Sequence, residues 1–161
     1  MRMTESERRF HRKTAAHCFN KTWDYLEKKR RNADDNEMML HLVHASRYHL
    51  SLVGGPRNQA VGDWQISRVY AALGHPSLSL QFGKFTLEIA KRSNLSDVLA
   101  TAHEAVARAH VVAKNFRAAR SYLSRARKQL DSSNIDEKDR KIYLSQIRET
   151  EKMIPKQSHQ I

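Results

Sequence analysis

The chain is poor in the residues that build tight turns and covalent staples. Only five glycines and three prolines occur among 161 residues. All three prolines stand outside the strongly periodic stretches, and alternating runs of valine, isoleucine and threonine are absent. That scarcity excludes a strand-rich fold and predicts an all-α chain. The single cysteine, Cys18, has no internal partner for a disulfide. No stretch approaches the roughly 18 consecutive apolar residues of a membrane span, and the N-terminal MRMTESERRFHRK lacks the apolar centre of a signal peptide. A cytoplasmic protein without a membrane segment is expected. A phosphate-cradling glycine loop, a nucleophile elbow and a paired-carboxylate motif are missing too, so neither a catalytic residue nor a cofactor is expected. Acidic residues are in deficit: 17 Asp and Glu stand against 29 Lys and Arg, a formal net charge of +12. A field of that sign attracts nucleic acid, anionic membrane or an acidic protein before any contact forms.

What is present suits a globular fold. Hydrophobic residues make up 40% and charged residues 29%, enough to bury a core in one domain spanning residues 1–161. Local punctuation divides it into seven helical segments. Thr4 and Glu7 fit a capping box that opens a first helix running to about Arg31, with Phe19, Trp23 and Leu26 on one stripe. The basic residues 1–12 can instead remain a flexible arm. A second helix, near 36–52, carries Met38, Leu42, Ala45 and Leu52 and stops at Gly54-Gly55-Pro56, where glycine can supply a left-handed cap and proline can restart the chain. The third spans about Arg57 to Leu73 and ends at Gly74; the fourth runs from Pro76 to about Arg92. The fourth has Leu78, Phe82, Phe85 and Ile89 on one face and Leu80 and Leu87 nearly opposite. SNLSD caps a fifth helix near 97–113, Lys114-Asn115 breaks the chain before a sixth near 116–131, and the seventh ends before Pro155. Tyr143, Ile147 and Ile154 give that last helix a thin apolar stripe, as expected of a polar C-terminal cap. Residues 155–161 are expected to be a disordered tail.

Internal repetition separates a hairpin stack from an up-and-down bundle. Setting Tyr70 and Gly74 against His110 and Lys114, 40 residues on, aligns Ile66 with Val106, Ser67 with Ala107, Ser79 with Ala119 and Phe82 with Tyr122. The later unit, VARAHVVAKNFRAARSYLSRA, resembles a tetratricopeptide repeat: Ala107 sits at a tight helix crossing, Phe116 follows the turn, and Ala119 and Ala126 keep the second helix close. The earlier unit departs where Gly83 and Thr86 replace a large residue and an alanine, and the spacing exceeds the usual period of about 34. HASRYHL and WQISRVYAALG are similar to stretches of a bacterial tetratricopeptide-like family with no assigned activity. The resemblance implies a right-handed stack of antiparallel helix hairpins.

It also implies which residues meet a partner. In such stacks the first helix of each hairpin lines a concave groove, which assigns Trp64, Gln65 and Arg68, and in the next hairpin Glu104, Ala105 and Arg108, to its inner surface. A guanidinium one turn from an indole can rest on the ring while its remaining donors meet a carboxylate. The expected function is therefore a non-catalytic module that binds a protein or peptide, an acidic one among the candidates. An arginine stem merely covering a packed ring is the simpler alternative.

A second function class rests on charge. Between Glu104 and Asp131 there is no acidic residue, while Lys114, Arg117, Arg120, Arg125, Arg127 and Lys128 spread over one side of the sixth helix, opposite its apolar residues. Such a face suits nonspecific nucleic-acid binding, or docking of an acidic partner or a second copy of the chain. His41, His44 and His49 lie within a few turns, but no well-spaced carboxylate or cysteine completes a zinc set, so no metal is expected. His103 and His110 share a helix edge and could face the groove. The arginine-to-histidine spacings from Arg68 to His75 and from Arg12 to His17 echo some helical ribonucleases and are common by chance in so basic a chain.

Overall fold

The computed structural model describes residues 3–156, as seven α-helices without a strand among the described residues. They are α1 (Glu5–Leu26), α2 (Ala33–Val53), α3 (Pro56–Ala72), α4 (Pro76–Arg92), α5 (Ser96–Val112), α6 (Phe116–Ser132) and α7 (Glu137–Lys152). The Thr4–Glu7 capping box forms in both directions, so the first turn has its orphan N–H groups satisfied and residues 5–12 are helical rather than a flexible arm. Residues 157–161 of the expected tail lie outside the described residues. α1 ends at Leu26, well before Arg31. The Arg31 guanidinium instead turns back and donates to the carbonyls of Tyr25 and Leu26, each at 3.3 Å, which satisfies that helix end.

The middle of the chain is regular to the residue. α3, α4, α5 and α6 are each 17 residues long. Their three connections use one turn: Gly74, Asn94 and Lys114 take left-handed φ values of 75°, 52° and 58°. After each, the next N–H bonds back to a carbonyl five residues earlier: His75 to Tyr70 (2.9 Å), Leu95 to Ala90 (2.9 Å) and Asn115 to His110 (2.8 Å). A second bond joins Gly74 to Ala71, Asn94 to Lys91 and Lys114 to Val111. This is the Schellman motif, which reverses the chain while covering free carbonyls. Gly54, expected to be left-handed, is extended at φ −98°, ψ 157°. Asn94, expected to cap α5, closes α4 instead.

Consecutive helices pack as antiparallel neighbours, and in addition α1, α3, α5 and α7 touch in sequence. Among the described residues α2, α4 and α6 make no close backbone contact with one another, nor does α1 with α7. The odd helices thus form an inner row and the even helices an outer one. The core is correspondingly divided into three clusters, each shared by neighbouring helices: Met39, Val43, Ile66 and Val69; Ala60, Ile89, Ala90 and Val98; and Ala100, Ala107, Leu123, Ala126, Leu130 and Ile147. Local burial of this kind is what distinguishes a stack from a bundle around one axis.

Small residues mark the contact lines. On α4 the buried line is Ser79, Gly83, Thr86 and Ala90, while Leu78 and Phe85 from the expected apolar face stand 39% and 41% exposed. A Cβ on Gly83 would lie 3.3 Å from Ser67 Oγ and from the backbone nitrogen of Val106, so α4 is gripped by α3 and α5 at once. α2 differs from its expected stripe by one residue: Met39, Val43 and Ser46 are buried and Met38 and Leu52 are exposed. The Ser46 hydroxyl donates to the carbonyl of Ala15 at 3.0 Å, a short polar bridge that draws α2 close to α1 where leucine would hold it away.

Candidate partner-binding cleft

The inner row curls enough that the C-terminal ends of α1 and α7 face each other across α3 and α5. They enclose a cleft of about 340 Å³, walled by Trp23, Leu26 and Glu27 on one side and by Glu149 and Met153 on the other, with Arg68, Ala71, Ala72 and Arg108 between. Trp64 and Arg68 form a triangular cluster with Trp23. The Arg68 guanidinium carbon lies 5.2 Å from the Trp23 ring centroid and 6.0 Å from that of Trp64, and the two indoles are 5.8 Å apart. Arg68 Nη2 donates to Glu149 Oε2 at 2.7 Å, and Arg108 Nη2 is 3.3 Å from the same oxygen. Arg108 Nε donates to Glu104 Oε1 at 3.0 Å, and the Thr150 hydroxyl donates to that oxygen at 2.5 Å.

Of the six residues assigned to the groove from sequence, Arg68 and Arg108 line the cleft. Trp64 lies against Arg68 and Glu104 against Arg108; these two and Gln65, at 7%, 1% and 0% exposure, offer no open surface. The reason is cover from both flanks. α1 lies over Trp64 and Gln65, whose amide nitrogen donates to the Phe19 carbonyl at 2.9 Å, and α7 lies over Glu104 through Thr150. Ala105 is also buried.

Five of these residues share a feature that packing leaves unexplained. Trp64 Nε1, Gln65 Oε1, Arg68 Nη1, Glu104 Oε2 and Arg108 Nη2 are all buried without a hydrogen-bond partner; the sixth such side-chain atom among the described residues is His103 Nδ1. Buried polar atoms are overwhelmingly satisfied, and each orphan costs roughly 1–3 kcal/mol. Electrostatics favour the charged forms of Arg108 and Glu149. Burial opposes the Arg108 charge, but Glu104 and Glu149 hold its pKa above the ordinary arginine value. Burial likewise opposes ionisation of Glu149, yet Arg108 and Arg68 hold its carboxyl below the ordinary range.

Other candidates scatter. His41 faces the carboxylate of Glu37 at 3.5 Å, His44 meets the Tyr70 hydroxyl at 3.1 Å, and His49 Nδ1 meets His11 Nδ1 at 2.6 Å. Among the described residues no three His, Cys, Asp or Glu side chains converge as a metal set. His103 and His110 flank the Tyr122 ring between α5 and α6, at 6.0 and 5.6 Å between centroids, and neither lines the cleft. On the basic face Lys114, Arg117, Arg120, Arg125 and Lys128 are exposed. Arg127 departs from that expectation, because its guanidinium makes two bonds to the Glu151 carboxylate, at 2.8 and 2.6 Å. Cys18 is buried, which raises its thiol pKa.

Sequence reasoning missed Trp23, Glu149 and Met153. Trp23 reads as one more apolar residue of a stripe, and the other two sit among the charges of the last helix. A second hollow of about 500 Å³ opens between α1, α2 and α3 and is mostly apolar, lined among others by Phe19, Leu50, Val53 and Val61. Its signal was the Ala15-Ala16 pair, which keeps that wall thin.

Fold and site together define the class: an all-α stack of helix hairpins with a cleft on its inner row lined by two arginines, Arg68 and Arg108, and two glutamates, Glu27 and Glu149. No protein-family model, curated protein or solved structure matches the chain. No helix among the described residues is long and apolar enough to cross a membrane.

Proposed function

We propose that the chain is a non-catalytic binding module whose cleft between α1 and α7 receives an acidic segment of a protein partner. One observation carries this: the two arginines lining the opening each hold a buried nitrogen without a hydrogen bond, Arg68 Nη1 with no partner and Arg108 Nη2 with only a 3.3 Å ionic contact to Glu149. Guanidinium donors in a partly desolvated setting favour a carboxylate strongly and with defined geometry. The likeness of the hairpins to tetratricopeptide units supports the same side of the stack as the docking side. The test is titration of the protein with an amidated oligoglutamate peptide and, as control, an oligolysine peptide. Trp23 and Trp64 are the chain's two tryptophans, so intrinsic fluorescence reports the cleft directly. Oligoglutamate shifts the emission and Arg68→Gln abolishes the shift while the helical circular dichroism is kept. An unchanged response in Arg68→Gln would place the binding elsewhere and defeat the proposal.

A second reading, nonspecific nucleic-acid binding, draws on the five exposed cations of the α6 side and on Arg125, whose guanidinium lies 4.8 Å over the Tyr122 ring. It requires affinity for random RNA or DNA that falls steeply with salt through counterion release. Absence of binding at low salt ends it.

A further inference from the structure

Glu149 stands apart from the other members of the cleft. Around the cleft α3 and α5 place two arginines, Arg68 and Arg108, and one carboxylate, Glu104, which pairs with Arg108. One positive charge in a desolvated place thus depends on a carboxylate delivered from outside those helices, and α7 delivers it. The delivery is incomplete. Both arginines converge on one oxygen, Glu149 Oε2, at 2.7 and 3.3 Å; Arg68 Nη1 is buried with no partner, and Arg108 Nη2, the nitrogen of the longer contact, is an ion-pair neighbour of that oxygen without a well-formed hydrogen bond to it. A carboxylate entering along the cleft can offer both oxygens to the pair, which is the favoured geometry for guanidinium recognition.

Exposure makes the same distinction. The side chains of Arg68 and Arg108 are 11% and 9% exposed, whereas that of Glu149 is 55% exposed. Glu149 reaches in from the rim and returns to water at little cost. Its helix is also the last of those described and buries only Ile147 and Thr150. Met153, next along the same wall, is 43% exposed and sets its sulfur 3.7 Å from Arg108 Nη1. An unbranched thioether is easily displaced from such a position.

We propose that Glu149 is an internal stand-in for the ligand: it occupies the place of a partner's acidic side chain, and the partner binds by exchanging its own carboxylate for that of Glu149. The proposal rests on the cleft being the partner site. Binding to such a site is weakened by the fraction of time Glu149 fills it. Removing the competing charge while keeping the shape of the side chain should therefore tighten binding.

The experiment compares wild-type protein, Glu149→Gln and the double variant Glu149→Gln with Arg68→Gln, each checked for helical circular dichroism. The probes are an amidated oligoglutamate peptide and a neutral peptide with a free C-terminal carboxylate, and tryptophan emission is the readout. Glu149→Gln should bind oligoglutamate about tenfold more tightly than wild type, with the gain lost in the double variant. If only the free C-terminus gains, the exchanged group is a chain end and not a side chain, and the proposal is overturned in its stated form. Equal or weaker oligoglutamate binding by Glu149→Gln overturns the exchange while leaving the cleft as a site. Absence of oligoglutamate binding in wild type and Glu149→Gln alike overturns the partner site itself. Glu149→Ala replaces the glutamine variant should that one fail to fold, with the same expected gain.

Discussion

Lys114 holds the left-handed backbone conformation that Gly74 holds one hairpin earlier, at φ 58° against 75°. A turn that recurs every 20 residues, at Gly74, Asn94 and Lys114, sets the repeat more firmly than any apolar pattern does. Twice that offset carries a side-chain pair: Tyr70 stacks on Phe82 at 5.9 Å and 19°, and His110 on Tyr122 at 5.6 Å and 24°. Each ring pair fastens the two helices of its hairpin just before the turn.

The turn gives paired predictions of opposite sign. A Cβ at Gly74 meets nothing within 4 Å, so Gly74→Ala feels only the backbone and should lose about 1 kcal/mol in urea unfolding. Lys114→Gly relieves the same strain and should gain a few tenths to about 1 kcal/mol, since the added freedom of the unfolded glycine offsets part of it. Equal effects at both positions would contradict a shared conformation.

The buried ion cluster should be intolerant of half-removal. Arg108→Ala leaves Glu104, 1% exposed, without its guanidinium, and a stranded buried charge costs roughly 3–5 kcal/mol. Arg68→Gln, whose counter-ion Glu149 can turn to water, should cost well under half of that. Chemical denaturation of the two variants side by side checks the ranking.

Acid should weaken the fold before any carboxylate titrates fully. Burial, with Lys91 and Arg125 nearby, lowers the His103 pKa from 6.5 to about 4. Burial also lowers His44, His49, where His11 adds to it, and His110, where Lys84 adds to it. A folded pKa below the unfolded one means that the unfolded chain takes up protons the fold refuses. These rings therefore cost nothing above about pH 7, and stability drains away as the pH falls from about 6.5 toward 4. His103→Gln should lose less melting temperature than wild type between about pH 7 and pH 4.5. An identical loss would show that His103 takes its proton without strain.

The grip on α4 admits a direct test. Gly83 faces Ser67 and the Val106 backbone at 3.3 Å, and Leu123 stands at its position in the next hairpin. Gly83→Leu, which makes the two repeats alike, should cost about 1–3 kcal/mol by overpacking. A gain in stability would mean that α4 has room to move outward.

Much of the architecture was legible in the chain because its turns are announced locally. Pro56 and Pro76 open helices and Gly74 closes one, as their residue types announce; the side-chain caps of Asn115 and Asp136 came only with the structure. Lys114 was legible as a break but not as a left-handed residue, since lysine has no preference for that conformation. The buried stripes of α2 and α4 were misjudged where the contact is made by serine, threonine and glycine, because close approach selects size over hydrophobicity. The cleft was half legible. The 40-residue register groups Arg68 with Arg108, but their cover depends on Trp23 meeting Trp64 and on Glu149 meeting Arg68 from 81 residues away. Nothing local encodes those meetings; they follow from how far the inner row has curled when the last helix arrives.

That curl gives the outer row its meaning. Because the even-numbered helices keep clear of one another while the odd-numbered ones touch, the molecule bends about its inner row like a bound book about its spine. One further hairpin of the same length would carry the closing helix onward around the arc and away from the indoles of α1. Repeat number, more than any single side chain, is the gauge that sets the width of guest the concavity admits.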